Sequence, residues 1–324
     1  MEMKDSIGNC QEETKKSFGK IGVLMGGPSS EREISLKSGK AVFQSLKVQG
    51  LDVVAIDIKS ADHGDTAKLI SSFSIDCAFV VLHGRFGEDG QIQSILEGLK
   101  LRYTGSRVKA SRLAMDKISA KKIFNENNLT APAQVIIEKK SYDRSNPIKT
   151  GFNLPWVIKP PTQGSSIGLS IVDREEDIAA GIDLALGFDD RVLIEEYIEG
   201  RELTVGILEN RPLCVIEIIP KKRFFDFEAK YQNGLTDYMV PALLEESISR
   251  TAQETALKAH RVLGCFGFSR VDIMLDRQNR LYLLEVNTIP GLTSTSLLPK
   301  AAKFAGIDFD QLCLKLLKSA YEKE

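Results

Sequence analysis

Near the C-terminal end, "SRVDIMLD" and "RLYLLEVN" set four polar side chains inside otherwise apolar runs. Alternation along a strand puts Arg270 and Asp272 on one face of the first run, and Glu285 and Asn287 on one face of the second. With "DRQNR" read as the hairpin turn between them, Asp272, Glu285 and Asn287 meet as two carboxylates and a carboxamide. An all-oxygen set of this kind suits a hard divalent cation that also holds water and phosphate oxygens. A solvated face of alternating charges would give the same pattern, so spacing alone leaves both readings open.

Other stretches could act with such a centre. "VIKPPTQGSSIG" ends an apolar run on Lys159 and continues into a Gly-Ser-Ser loop whose amides could close over phosphate oxygens, with Lys117 as a second cation. It is not a Walker loop, because the G-x-x-x-x-G-K order is absent. "LIEEYIEGRELTVG" brackets a glycine turn with Glu195 and Glu202, which could accept from an adenine amino group or ribose hydroxyls, or simply guard a sheet edge by charge. "FFDFEAKYQNG" could stack on a base or close as a lid across 221–238, or pack as an ordinary surface loop. In "MGGPSSEREIS" a glycine turn leads from a strand into a helix, the usual seat of a phosphate, yet Glu31, Arg32 and Glu33 follow at once. Carboxylates suit the positive end of a helix but repel a polyphosphate. That turn is expected to receive something cationic.

The elements that must position these residues begin with "KIGVLMG", "LDVVAIDI" and "DCAFVVLHG", short apolar strands separated by helical patterns. In the first helix Ile34, Ala41 and Val42 keep helical spacing, with Ser38 and Ser45 on the same face. Such alternation predicts a parallel sheet covered by helices, with ligands at the carboxyl ends of its strands, where "MGGPSSERE" and "HGRFGEDG" both fall. From "MDKISAKKIFNENN" onward the pattern becomes α+β, with "PWVIKP" and "IGLSIV" joined by the Gly-Ser-Ser loop. The final helix is expected to start at Asp308, with Gln311 placed for a capping box.

The 324 residues are enough for two or three domains, and 43% hydrophobic with 27% charged residues is ordinary for a globular protein. A formal net charge of −1 without a basic block gives no reason to expect nucleic acid or an anionic membrane as partner. No apolar run approaches a membrane span, and the polar opening stretch lacks the apolar core of a signal peptide. The five cysteines are scattered singly, arguing against a disulfide framework or zinc site and for a reduced, cytoplasmic setting.

Taken in order, these motifs resemble the plan of the ATP-grasp ligases, and within them the D-alanine–D-alanine ligase family. The similar stretches run from "KIGVLMGGPSSEREISLKSG" through "LHGRFGEDGQIQ", "YTGS", "AMDK", "KPPTQGSSIG", "EEYIEGRELTVG", "DFEAKY" and "SRVDIMLD" to "LLEVNTIPGLTSTSLLPKAA". The resemblance implies an α/β fold that is α+β in its later modules: a parallel-sheet N-terminal domain followed by a two-lobed ATP-grasp fold. The polar stretch at 1–19 reads as a mobile tail, longer than the family requires; after it the resemblance implies a substrate domain at 20–115, a central lobe at 116–208, and a C-terminal lobe at 209–324 carrying the lid. Its implied activity is ATP-dependent joining of two D-alanine molecules through an acyl phosphate for peptidoglycan synthesis, with two magnesium ions (manganese as an alternative) and a homodimer formed through the N-terminal domain.

Residue by residue, the resemblance assigns Lys117 and Lys159 to ATP phosphates, with Ser165 and Ser166 in the loop over them. Glu195, Glu202 and Phe224 fall at the nucleotide, and Asp272, Glu285 and Asn287 at the metals. Glu31 takes the ammonium of the first D-alanine, beside His83, while Lys230 and Ser296 take the carboxylate of the second. Arg270 and the Gly291 backbone stabilise the tetrahedral intermediate, and Glu31, Ser165 and Tyr231 form a hydrogen-bonded trio. The Lys230-Tyr231 pair resembles ligases that form the dipeptide and not D-alanyl-D-lactate. Two departures stand out: Thr295 replaces the middle histidine of the family's S-H-S, and Phe225 and Phe227 replace the tyrosines of Y-D-Y-E.

Overall fold

The computed structural model describes residues 18–221 and 235–322. The first of its three sheets is parallel, in the order β2-β1-β3-β4, built from β1 (Ile21–Gly26), β2 (Val53–Ile58), β3 (Cys77–Val80) and β4 (Arg102–Tyr103). Every residue of β1 is buried, as expected of a strand covered on both faces. One face packs with Val42 and Leu46 of α1 (Arg32–Val48). The other packs with Ile70 of α2 (His63–Ser72) and Ile92 and Leu96 of α3 (Gln91–Gly98). α1 buries Ser35, Ser38, Gly39, Val42, Ser45 and Leu46, and Ile34 is only partly covered, so its inward face is turned from the expected stripe toward the small residues. Gly39 explains this: a Cβ there would lie 2.4 Å from the Cβ of Met25, so helix and strand approach where no side chain intervenes.

α4 (Val108–Met115) and α5 (Lys117–Glu126) lead into an antiparallel sheet ordered β5-β8-β6-β7, formed by β5 (Gln134–Glu138), β6 (Trp156–Lys159), β7 (Ser170–Val172) and β8 (Arg191–Glu196). α6 (Glu175–Leu186) covers it through Ile182 and Ala185. The third sheet is also antiparallel, ordered β11-β10-β9-β12-β13, with β9 (Gly200–Leu208), β10 (Arg211–Pro220), β11 (Thr236–Met239), β12 (Phe268–Asp276) and β13 (Leu281–Asn287). Here the expected boundary after residue 208 needs correction. It would separate β9 from β10, which pair directly, and β9 also pairs with β12 at the middle of this sheet. The run "LTVGIL" marks a buried strand but does not say which sheet it joins.

α7 (Glu246–Val262) backs the third sheet, and α8 (Leu297–Phe304) and α9 (Phe309–Ser319) close it against the first. Asp308 caps α9 with the expected capping box through Gln311. His260 on α7 is fully buried, with Nδ1 2.8 Å from Ser269 Oγ and Nε2 without a partner among the described residues. Burial pushes its imidazole down to about 4.

The unfolded chain, with histidine near 6.5, therefore binds a proton between pH 6.5 and 4 that the folded chain does not, and stability must fall as pH falls through that window. We expect roughly 2 kcal/mol to be lost between pH 7 and 5 from this group alone. Urea unfolding at both pH values should show a smaller loss in His260→Gln; an equal loss would remove His260 as the cause.

Candidate active site

The turn after β6 and the paired strands β12 and β13 line one cavity, and the turn also reaches the start of α1 through Ser165 and Glu31. In the β12–β13 ladder Asp272 stands opposite Glu285 and Arg270 opposite Asn287, with the register shifting just after Asp272. Asp272 is 5% exposed and held from several sides. Arg270 pairs with it at 2.9 Å (Nε to Oδ1) and 2.7 Å (Nη2 to Oδ2), Thr204 Oγ1 donates at 2.6 Å, and Asn287 Nδ2 donates at 3.1 Å. Glu285 Oε2 lies 3.1 Å from Lys117 Nζ. Among the described residues no three His, Cys, Asp or Glu side chains converge, so a divalent ion here would take two carboxylates and the Asn287 carboxamide. These are hard oxygen donors, and they fit magnesium.

Lys117 opens α5, whose N-cap Asp116 accepts from the Ile118 N–H. It also anchors the Gly-Ser-Ser loop: its backbone N–H donates to Pro161 O at 3.1 Å and its Nζ to Gln163 O at 2.8 Å. On the loop's other side Thr162 Oγ1 donates to Asp189 at 2.5 Å. Ser165 and Ser166 both adopt positive φ, 50° and 59°. The Ser165 hydroxyl donates to Glu31, across to the start of α1, while Ser166 lines the cleft. Glu31 occupies the N-cap position of α1, yet its side chain caps nothing there. Lys159 ends β6 and pairs with Glu195 Oε2 at 2.8 Å.

A cavity of about 310 Å³ joins these groups; Lys117, Lys159, Glu195, Glu202, Asp272 and Glu285 are among its lining residues. Val157, Ile171, Ile198 and Met274 give it apolar walls. Cations and carboxylates beside apolar walls suit a ligand with a flat apolar part and an anionic tail.

His83, three residues beyond β3, is 5% exposed. Its Nδ1 lies 3.0 Å from Ile289 O and its Nε2 3.3 Å from Ser38 Oγ. A carbonyl only accepts, so Nδ1 carries the proton; burial lowers the imidazole and keeps it neutral. His83 thus ties the first sheet to the loop that carries Gly291 and Ser296, where the Thr293 N–H donates to Ser296 Oγ at 3.1 Å. Phe224, Lys230 and Tyr231, with Phe225, Phe227 and most of the expected lid, lie outside the described residues.

Two residues escaped the sequence reading. Glu88 accepts from the Gly84 N–H at 2.9 Å and lines a small recess with Lys117, Glu285 and Asn287. Burial, with Glu31 nearby, pushes its carboxyl up to about 8. Lys121 is fully buried and pairs with Glu195. Its signal was readable: α5 turns Lys117, Ala120, Lys121 and Phe124 inward, and a lysine on an apolar stripe demands a carboxylate.

Residues 61–106 match the family model described as D-ala D-ala ligase N-terminus, and residues 123–318 that described as D-ala D-ala ligase C-terminus. The chain belongs to the D-alanine–D-alanine ligase family. It is 47% identical over 302 residues to a D-alanine–D-alanine ligase of Geotalea uraniireducens, covering 93% of this chain and 95% of that one. Identity to the corresponding Geobacter sulfurreducens ligase is 46% over 303 residues, 93% and 94% of the two chains. Among solved structures, the Bacillus anthracis ligase complexed with ATP superposes with a TM-score of 0.81 at 29% identity, covering 94% of this chain and 98% of that one.

Gly84 offers a test of the cleft's packing. Its φ is +70°, and a Cβ would lie 2.4 Å from Glu31 Oε2. Gly84→Ala should lower stability by ~1–3 kcal/mol through backbone strain and displacement of Glu31. Gly98→Ala, at a helical glycine with nothing within 4 Å, should be neutral or slightly stabilising. Thermal unfolding of the two variants decides it, and equal midpoints would contradict the close approach.

Proposed function

We propose that this chain joins two D-alanine molecules into D-alanyl-D-alanine at the expense of ATP, releasing ADP and phosphate, as its family membership supports. The observation that carries the reading is a chain of contacts: Lys117 and Lys159 line the slot, Lys117 holds the Gly-Ser-Ser loop through Gln163, and that loop reaches Glu31 through Ser165. A nucleotide tail in the slot therefore points toward an amino-acid site. It answers the puzzle of "SSERE": the carboxylate at that turn receives an ammonium, and the phosphates go elsewhere.

In this reading the carboxylate of the first D-alanine attacks the γ-phosphorus, forming an acyl phosphate as the bond to ADP breaks. Two anions approach in that step, and Lys117, Lys159 and Arg270 supply the compensating charge. The amine of the second D-alanine, once deprotonated, attacks the acyl carbon, and phosphate leaves with the electrons of the C–O bond. Arg270 and the Gly291 N–H are taken as the donors to the oxyanion that forms. Ser296, beside Gly291, is taken with Lys230 to hold the second carboxylate. Asp272, Glu285 and Asn287 are taken as the magnesium ligands, and bound magnesium would supply Lewis-acid neutralisation of phosphate oxygens.

ATP-dependent phosphate release should require D-alanine, with D-alanyl-D-alanine as the identified product. Arg270→Ala should lower kcat by about 10²–10³; near-normal turnover would remove it from the oxyanion site. D-alanine should outcompete D-lactate as second substrate at neutral pH. A depsipeptide as the main product would overturn that specificity.

A further inference from the structure

At the cleft wall lies a charge cluster with one member, Lys121, to which the proposed reaction gives no task. Lys121 is fully buried on α5, one turn beyond Lys117, and its ammonium pairs with one oxygen of Glu195. Glu195 is 2% exposed and gives its other oxygen to Lys159. Lys159 and Glu195 line the cavity; Lys121 does not. One buried carboxylate is thus held between a cation that can reach a ligand and a cation that cannot.

Lys121 and Glu195 are ionised at neutral pH. Burial pushes Lys121 down to about 8 against the pull of Glu195, which leaves it cationic at pH 7. Burial alone would raise Glu195, but the two lysines outweigh it and hold the carboxyl below its ordinary value. A lysine in a 2.8 Å contact with a buried carboxylate is committed to it. Turning Lys159 toward phosphate would strand Glu195, and an uncompensated buried charge is strongly unfavourable. A second, permanent partner removes that obstacle.

We propose that Lys121 is a positioning residue for nucleotide binding: as the resident counter-ion of Glu195, it lets Lys159 leave that carboxylate and follow the phosphates. This rests on the reading of Lys159 as a phosphate-binding lysine. It also gives a reason for two lysines on one carboxylate, where one would satisfy the charge.

The test compares Kd for magnesium-ADP with Kd for adenosine in the full chain, by calorimetry. The ratio of the two isolates the share of affinity owed to the phosphates. Lys159→Met keeps the Lys121–Glu195 pair and checks the underlying reading: the phosphate share should fall about tenfold or more, as for loss of a charge-assisted contact. Lys121→Met should lower the same share roughly tenfold while adenosine affinity stays within about twofold. Neutralising the carboxylate as well, in Lys121→Met/Glu195→Gln, should restore the share to within about threefold of Glu195→Gln alone, because nothing then holds Lys159 back.

A structural role for Lys121 would weaken adenosine and ADP alike and would gain nothing from Glu195→Gln. An unchanged share in Lys121→Met beside a lowered one in Lys159→Met overturns the proposal. An unchanged share in Lys159→Met overturns the reading beneath it, and the proposal with it. Should Lys121→Met not fold, the double variant against Glu195→Gln decides: equal shares support the proposal, and a further fall beyond about threefold overturns it.

Discussion

Every carboxylate drawn into this cleft needs a positive or hydrogen-bonding partner, and that requirement organises the molecule. Asp272, Glu195 and Glu31 are each less than a tenth exposed, and each meets its donor on a different element of the fold. Asp272 is met within its own sheet by Arg270 and Thr204, Glu195 by lysines from α5 and β6, and Glu31 by a serine of the Gly-Ser-Ser loop. Desolvated charges tolerate neither absence nor misplacement of their partners. Two such pairings also cross between modules: Ser165 with Glu31 ties the loop after β6 to α1, and Lys117 with Glu285 ties α5 to β13.

The loop after β6 shows how this works at close range. It is tied to α5 by Lys117, to the end of α6 by Thr162 and Asp189, and to α1 by Ser165 and Glu31. Each tie reaches a different layer, so the loop's amides have a defined position without a regular element of their own. His83 performs a similar service opposite, where its neutral ring spans from Ser38 on α1 to the carbonyl of Ile289. Both ring nitrogens face protein atoms, so the ring is fixed between α1 and the loop after β13.

Much of this was legible in the sequence because the signals were local. Alternation placed Asp272 with Arg270 and Glu285 with Asn287 on shared faces, and the ladder register brings the two pairs opposite one another. The buried run of β1 and the capping box at Asp308 depended only on neighbours in the chain. What escaped depended on distant partners. Whether "LTVGIL" belonged to the second or third sheet is decided by β10 and β12, and the face α1 turns inward is decided by Met25 against Gly39. Glu88 looks like a surface charge until the strands and loops that enclose it are in place.

The left-handed turn at Ser165 and Ser166 restricts which sequences this loop can explore. Positive φ at two consecutive positions excludes β-branched side chains at little-strained geometry and favours glycine, asparagine, aspartate or another small polar residue. Of these, only a residue with a short donor at the first position retains the link to Glu31. Evolutionary drift within the loop is thereby funnelled into a very small alphabet.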